Sequence, residues 1–294
     1  MPTYCSRTLP IFIFLAYLAL ASSARADVAA PPPLVFQMVT AETIVVGTVI
    51  GFADQDVLAK PYPQSKQKVP YRIALVRVSK GIQGSKQGKV IRVGYLAPPK
   101  PVVNQPKKLV FPSSRRPTMQ LKVGQQALLF LKKHPVESFL IPPGYYSIKT
   151  AQPKTPKHFN QYVHEVQRMA NILANPIPAL KSQDDKIRVQ AATLLIAKYR
   201  QPPFGRKFKQ VPVDAEENKL ILNALANADW SKYNNYSLLL QAVDLLGLTP
   251  KDGFVRPKRI TSPKDYPNAV RNWLKTHANT YRMKRLVPIE PDTK

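Results

Sequence analysis

Residues 155–173, TPKHFNQYVHEVQRMANIL, decide how the chain divides. Phe159, Tyr162, Val163, Val166, Met169, Ala170 and Leu173 recur at the i, i+3, i+4, i+7 spacing that lines one face of an α-helix. Asn175-Pro176 stops that helix, because the residue before a proline is pushed out of the α region. Upstream the period is different. Residues 43–52, 70–78, 89–96, 125–131 and 145–150 are short apolar runs, β-branched or aromatic, bounded by Gly, Pro and Lys. Those are the marks of strands. Ile91, Val93 and Tyr95 alternate with Val90, Arg92 and Gly94, so one face of that strand is the more apolar. Residues 71–78 carry apolar side chains on both faces, as a strand covered on both sides would. Five short strands in about 120 residues predict a small barrel or sandwich.

Downstream the helical reading continues. Asp184 and Asp185 stand where a helix N-terminus favours negative charge, ahead of Ile187, Ala191, Leu194 and Leu195. Residues 219–228, 236–246 and 269–278 predict three more helices, with Gly247 as a C-terminal cap and Pro250 just beyond. Helices of this length with short connections predict stacked hairpins. Two basic loops interrupt the pattern. Residues 98–117 hold six prolines, the cations Lys100, Lys107, Lys108, Arg115 and Arg116, and no acid. Residues 202–209 form a smaller loop with Phe204 and Phe208.

The first 26 residues read as a secretory signal peptide. Arg7 supplies the positive start, residues 9–21 the apolar core, and Ala24-Arg25-Ala26 the small-x-small cleavage site. The apolar run falls short of the roughly 20 residues a membrane span requires, which disfavours an uncleaved anchor, and no later stretch is long enough to span. The expected location is therefore exported, periplasmic or secreted. Cys5, the single cysteine of the 294 residues, lies in this segment. The mature chain is expected to lack thiols and disulfides and to hold together by burial, which a chain of this size can do.

Two resemblances follow from particular residues. Ala41-Glu42-Thr43-Ile44-Val45-Val46-Gly47-Thr48-Val49, then residues 71–78 leading into Ser79-Lys80-Gly81, then Val123-Gly124 before Ala127-Leu128-Leu129-Phe130-Leu131, resemble the netrin-like domains of the OB-fold class. That class includes the tissue inhibitors of metalloproteinases. Leu180-Lys181-Ser182-Gln183-Asp184-Asp185-Lys186-Ile187-Arg188-Val189-Gln190-Ala191-Ala192-Thr193-Leu194-Leu195 resembles a HEAT-type helical repeat. Together they imply an α+β, two-domain chain: a small OB-like β-barrel over residues 27–156 and an all-α HEAT-like stack over 157–294, serving as a scaffold or docking surface. The inhibitors chelate a protease zinc through a disulfide-held N-terminal cysteine. The expected mature terminus here is Asp27, without cysteine, so that mechanism does not transfer and no family site residue carries over.

Catalytic chemistry finds little purchase. His164-Glu165 opens like a zinc-protease motif, yet Arg168 occupies the position of the second histidine, and a cation cannot ligate zinc. His158 and His164 are six apart, on opposed sides of a helix, and His134 and His277 lack a carboxylate or second histidine in local register; all four are expected at surface or cap positions. The close acidic pairs Asp54 and Asp56, Asp184 and Asp185, and Glu216 and Glu217 fit helix-terminal charge better than a general acid and base. Calcium-loop spacing, a Gly-rich phosphate loop and a Gly-x-Ser-x-Gly elbow are absent from the sequence. No enzyme and no cofactor is expected.

Charge is what remains. Lys plus Arg number 44 against 17 Asp plus Glu, a net of +27. Residues 27–156 hold 19 basic and 5 acidic residues, net +14, and residues 157–294 hold 23 and 12, net +11. Such an excess either solvates the surface or attracts polyanions. The sequence thus reads as an exported binding or scaffolding protein of the cell envelope, meeting an acidic polymer or an envelope protein through Lys100, Lys107, Lys108, Arg115 and Arg116. Export argues against nucleic acid. The alternative is an exported hydrolase or protease inhibitor whose site is assembled from distant residues.

Overall fold

The computed structural model of the chain describes residues 32–97, 120–152, 155–202, 207–230, 233–257, 262 and 265–289; at 145 and 233–238 this means the backbone. The signal segment and the loop cations Lys100, Lys107, Lys108, Arg115 and Arg116 lie outside the described residues.

A seven-residue helix, α1 (Leu34–Thr40), leads into seven strands: β1 (Thr43–Phe52), β2 (Val57–Ala59), β3 (Val69–Gln83), β4 (Val90–Leu96), β5 (Gln126–Lys133), β6 (Leu140–Ile141) and β7 (Ile148–Thr150). They form one sheet in the order β1-β3-β4-β6-β5-β7, with β2 on β3 and a further pairing of β1 with β5. The β-branched run of β1 explains its central place. Its side chains alternate between the two faces of the sheet, and both faces are covered. Ile44 and Val46 lie opposite Phe130 and Leu128 of β5 on one face, and Val45 lies opposite Leu129 on the other; all are buried.

Seven α-helices are present among the described residues. After α1 come α2 (Pro156–Ala174), α3 (Pro176–Leu180), α4 (Asp185–Arg200), α5 (Ala215–Ala226), α6 (Tyr233–Leu246) and α7 (Asp265–His277). The Asp184 side chain caps α4 by accepting the Lys186 N–H at 2.8 Å, and Asp214 caps α5 by accepting from Glu216 and Glu217. Helix α4 is buried along most of its length, from Val189 to Ala197, because α1, α2, α3, α5 and α6 all pack against it. Gly247 ends α6 in the left-handed conformation, φ 63°, where glycine avoids the Cβ clash of other residues.

This architecture corrects the expected fold class. The chain is mixed α/β, not a small barrel followed by an all-α stack. The sheet is not a closed barrel: β6 has two residues, and it meets β4 through a single parallel pair, Val93 with Leu140. The helical half is not all-α either. Two strands, β8 (Phe208–Pro212) and β9 (Lys284–Pro288), pair antiparallel across a long stretch of sequence. The buried Asn218 ties this ribbon to α5. Its Nδ2 donates to the Tyr281 carbonyl at 2.7 Å and its Oδ1 accepts from the Met283 N–H at 2.9 Å. One apolar cluster runs from Val35 and Met38 of α1 through Ile44, Val46, Leu128 and Phe130 of the sheet to Val166, Leu194, Leu222 and Trp273 of the helices. The sheet's opposite face holds a second cluster around Val45, Val76 and Val93.

Candidate functional site

The incomplete seam between β4 and β6 opens a groove of about 480 Å³. Lys89, Val90, Ile91 and Arg92 form one wall, Lys133, His134 and residues 137–140 the other, and Thr43, Gly84 and Ser85 close one end. Its floor is built by a close approach. The Phe139 ring lies over Gly94 so tightly that a Cβ there would come within 2.4 Å of it. Glycine at 94 therefore sets how deeply the β5–β6 turn folds onto β4. Phe139 also packs against Tyr71 and His134, with ring centroids 5.4 and 4.7 Å away, in a small cluster with Ala59, Ile73 and Ile141.

His134 fixes the shape of that turn. Its Nδ1 accepts from the N–H groups of Val136 at 3.2 Å and Glu137 at 3.0 Å, while its backbone N–H donates to the Phe139 carbonyl at 2.9 Å. The ring is 5% exposed. Burial lowers its pKa, with the Glu137 charge and the Lys60 backbone opposing, and an Nδ1 that accepts two N–H groups carries no proton itself. The cap role matches the sequence reading; a surface position does not.

The electrostatics of the groove are lopsided. Lys89, Arg92 and Lys133 are exposed on its walls and have no ion pair among the described residues, and Glu137 is the carboxylate in the lining. Nearby, two smaller hollows of about 280 Å³ each share Val39, Ala41 and Lys198. Burial lowers the pKa of Lys132, which borders one of them, and the Glu42 charge opposes that.

The other candidates are accounted for by structure. Arg168, standing where a metal motif needs histidine, grips Glu165 with contacts of 2.7 and 2.8 Å, and Gln190 of α4 donates to the same carboxylate at 2.8 Å. Burial alone would raise the Glu165 pKa. The hydrogen bonds from Arg168 and Gln190, and the charges of Arg168 and Lys186, outweigh it and hold the carboxyl below its usual range. Asp185 receives Arg188 at 2.8 Å and the Asp229 N–H at 3.0 Å. Glu217 accepts from the Tyr199 hydroxyl at 2.7 Å, and burial, then Glu217, pushes that phenol upward. Asp54 and Asp56 are exposed in the turn after β1. His158 and His164 are exposed on α2, and His277 stacks on Trp273 at 5.0 Å. Among the described residues no group of three or more His, Cys, Asp or Glu could hold a metal ion, and no helix is long and apolar enough to cross a membrane.

The groove cations escaped the sequence reading because Lys89 and Lys133 are 44 residues apart and meet only through the sheet order. The one local signal was the strand alternation that puts Val90 and Arg92 opposite the core-facing Ile91 and Val93.

No family model, curated protein or solved structure matches the chain.

Proposed function

We propose that the protein is an exported, non-enzymatic binding protein of the cell envelope that takes an anionic partner on its basic surface, with the β4–β6 groove as the contact. The observation that carries this reading is the set of three cations, Lys89, Arg92 and Lys133, that have no ion pair among the described residues and stand around an opening with a partly apolar floor. Cations used to stabilise a fold are ordinarily held in ion pairs or caps, as Arg168 and Arg188 are here. Cations left around a concave surface raise the local potential and draw in counter-charge. The expected loop contacts Lys100, Lys107, Lys108, Arg115 and Arg116 belong to the same proposal as a second contributor.

The test is association of the full chain with polygalacturonate, a soluble acidic polysaccharide, followed as salt rises. Binding at low salt should collapse as the screening length shortens to about 8 Å at physiological strength. Replacing Lys89, Arg92 and Lys133 with Ser should weaken it about tenfold, at roughly 0.5 kcal/mol for each exposed charge. A wild-type protein that ignores the polymer at low salt removes the reading.

A further inference from the structure

The groove wall supplied by β4 is a strand edge as well as a row of side chains, and its backbone groups can be assigned by register. In an antiparallel pair, hydrogen-bonded and non-hydrogen-bonded residue pairs alternate. The Ala97 N–H donates to the Pro70 carbonyl at 3.0 Å, and the Val78 N–H to the Lys89 carbonyl at 2.9 Å. With the β3–β4 register of Arg77 to Val90 and Tyr71 to Leu96, residues 91, 93 and 95 direct their backbone groups at β3. Residues 90, 92 and 94 direct theirs away from it, toward β6. The parallel pair of Val93 with Leu140 uses the Arg92 carbonyl and the Gly94 N–H. Both backbone groups of Val90 and the N–H of Arg92 are left facing the groove. Val90 is 45% exposed, and among the described residues no strand pairs with β4 on this side beyond the Val93–Leu140 pair.

An unpaired strand edge is a template for another strand, and adding one is an established mode of peptide capture. We infer that the groove takes an extended acidic peptide segment of a partner protein, which pairs its backbone with Val90 and Arg92 while its carboxylates meet Lys89, Arg92 and Lys133. This rests on the anion-binding reading above and narrows its partner class. Charge complementarity selects the occupant. A second copy of this chain would bring the same three cations against themselves, and a neutral strand would leave them unanswered. At about 3.4 Å per residue, the open edge from Val90 to Arg92 accommodates a segment of three to four residues. The exposed Val90 side chain and the Phe139–Leu140 floor suit apolar residues alternating with the acidic ones.

The experiment measures binding of the full chain to three probes: a fluorescein-labelled pentapeptide alternating aspartate or glutamate with valine, the same peptide N-methylated at alternate residues, and polygalacturonate. Methylation keeps the charge and removes the backbone donors. It should weaken binding about tenfold or more, the loss expected for a few backbone hydrogen bonds. On the protein, Val90→Pro removes one outward N–H without touching the β3 ladder or any charge. It should weaken the unmodified peptide about tenfold and leave polygalacturonate within about twofold. Amide exchange at Val90 and Arg92 should slow when the peptide binds and stay unchanged with the polysaccharide.

Equal binding of the two peptides, with no amide protection, overturns strand addition and leaves the anion reading standing. Failure of all three probes at low salt overturns the anion reading itself. Loss of the peptide with retention of polygalacturonate assigns the groove to polymer and also overturns the inference. If Val90→Pro fails to fold by circular dichroism, the methylated peptide and the amide exchange on the wild-type chain decide the matter.

Discussion

In the helical half, Arg168 grips Glu165, Arg188 grips Asp185 and Lys181 reaches Glu216 at 3.5 Å. In the sheet, Lys89, Arg92 and Lys133 stand around a groove whose lining includes one carboxylate, Glu137. Both halves carry a similar excess of positive charge, +14 and +11, and they place it differently. The helices have acids enough to use charge as a tie between elements: Glu165 links α2 to α4 through Gln190, and Asp185 links α4 to the turn at Asp229. The sheet, with 5 acids against 19 bases over residues 27–156, cannot neutralise its cations internally. The contrast separates charge tied into the packing of the helices from charge exposed around the groove, on which the proposed contact rests.

The largest effect that could break the comparison is loss of the shared core. Phe130→Ala in β5 should cost about 3–5 kcal/mol, the usual range for emptying a fully buried aromatic position. Both tryptophans, Trp230 and Trp273, lie in the helical half, so their fluorescence reports on helices that the mutation does not touch in sequence. Because Phe130 packs in the same cluster as the helices, the urea midpoint read by tryptophan should fall with the one read by circular dichroism. A tryptophan transition that ignores Phe130→Ala would make the two halves independent.

A smaller effect sharpens the seam. Gly94→Ala should cost about 1–3 kcal/mol, the range for overpacking, and should loosen the groove by pushing the Phe139 ring off β4. Chemical denaturation measures the first and peptide affinity the second.

Acid should separate the halves. Burial depresses the His134 pKa from its ordinary 6.5, so the unfolded chain binds the extra proton first. The stability His134 supplies is complete above about pH 6.5 and drains as pH falls through its lower folded value. Glu165 is also depressed, from 4.5, so its contribution is complete above that pH and is lost further down. His134→Asn should flatten the upper limb of the stability curve, and Glu165→Gln the lower one. The Glu165 effect is modest, because its side chain is 38% exposed and solvent screens it. A curve whose two limbs do not respond separately would contradict the assignment.

Much of this was legible in the chain. The β1 boundaries follow from its β-branched run, Asp184 and Gly247 mark helix ends by their chemistry, and the change of period at residue 155 falls at the start of α2. The overall architecture was not legible, and the reason is physical. Residues 208–212 and 284–288 are too short to show a strand period, and they pair where Asn218 and the packing of α4 hold the second strand in place. Helix α1 is seven residues with no acidic first turn or capping side chain, so it rests on tertiary contact alone. The groove depends on sheet order, and a sheet order that joins β4 to β6 across more than forty residues leaves no local trace.

The smallest expected effect on the fold accompanies the largest on binding. Replacing Lys89, Arg92 and Lys133 with Ser should change stability by within about 0.5 kcal/mol, since all three are exposed. Replacing Lys207, Lys209 and Lys284, exposed on or beside the β8–β9 ribbon, removes the same net charge elsewhere. Titrating both triple variants with polygalacturonate at low salt is the most direct test that the groove, and not the diffuse charge, takes the anion. The groove variant should lose about tenfold in affinity and the ribbon variant less than about twofold. Equal losses in the two variants would contradict the account.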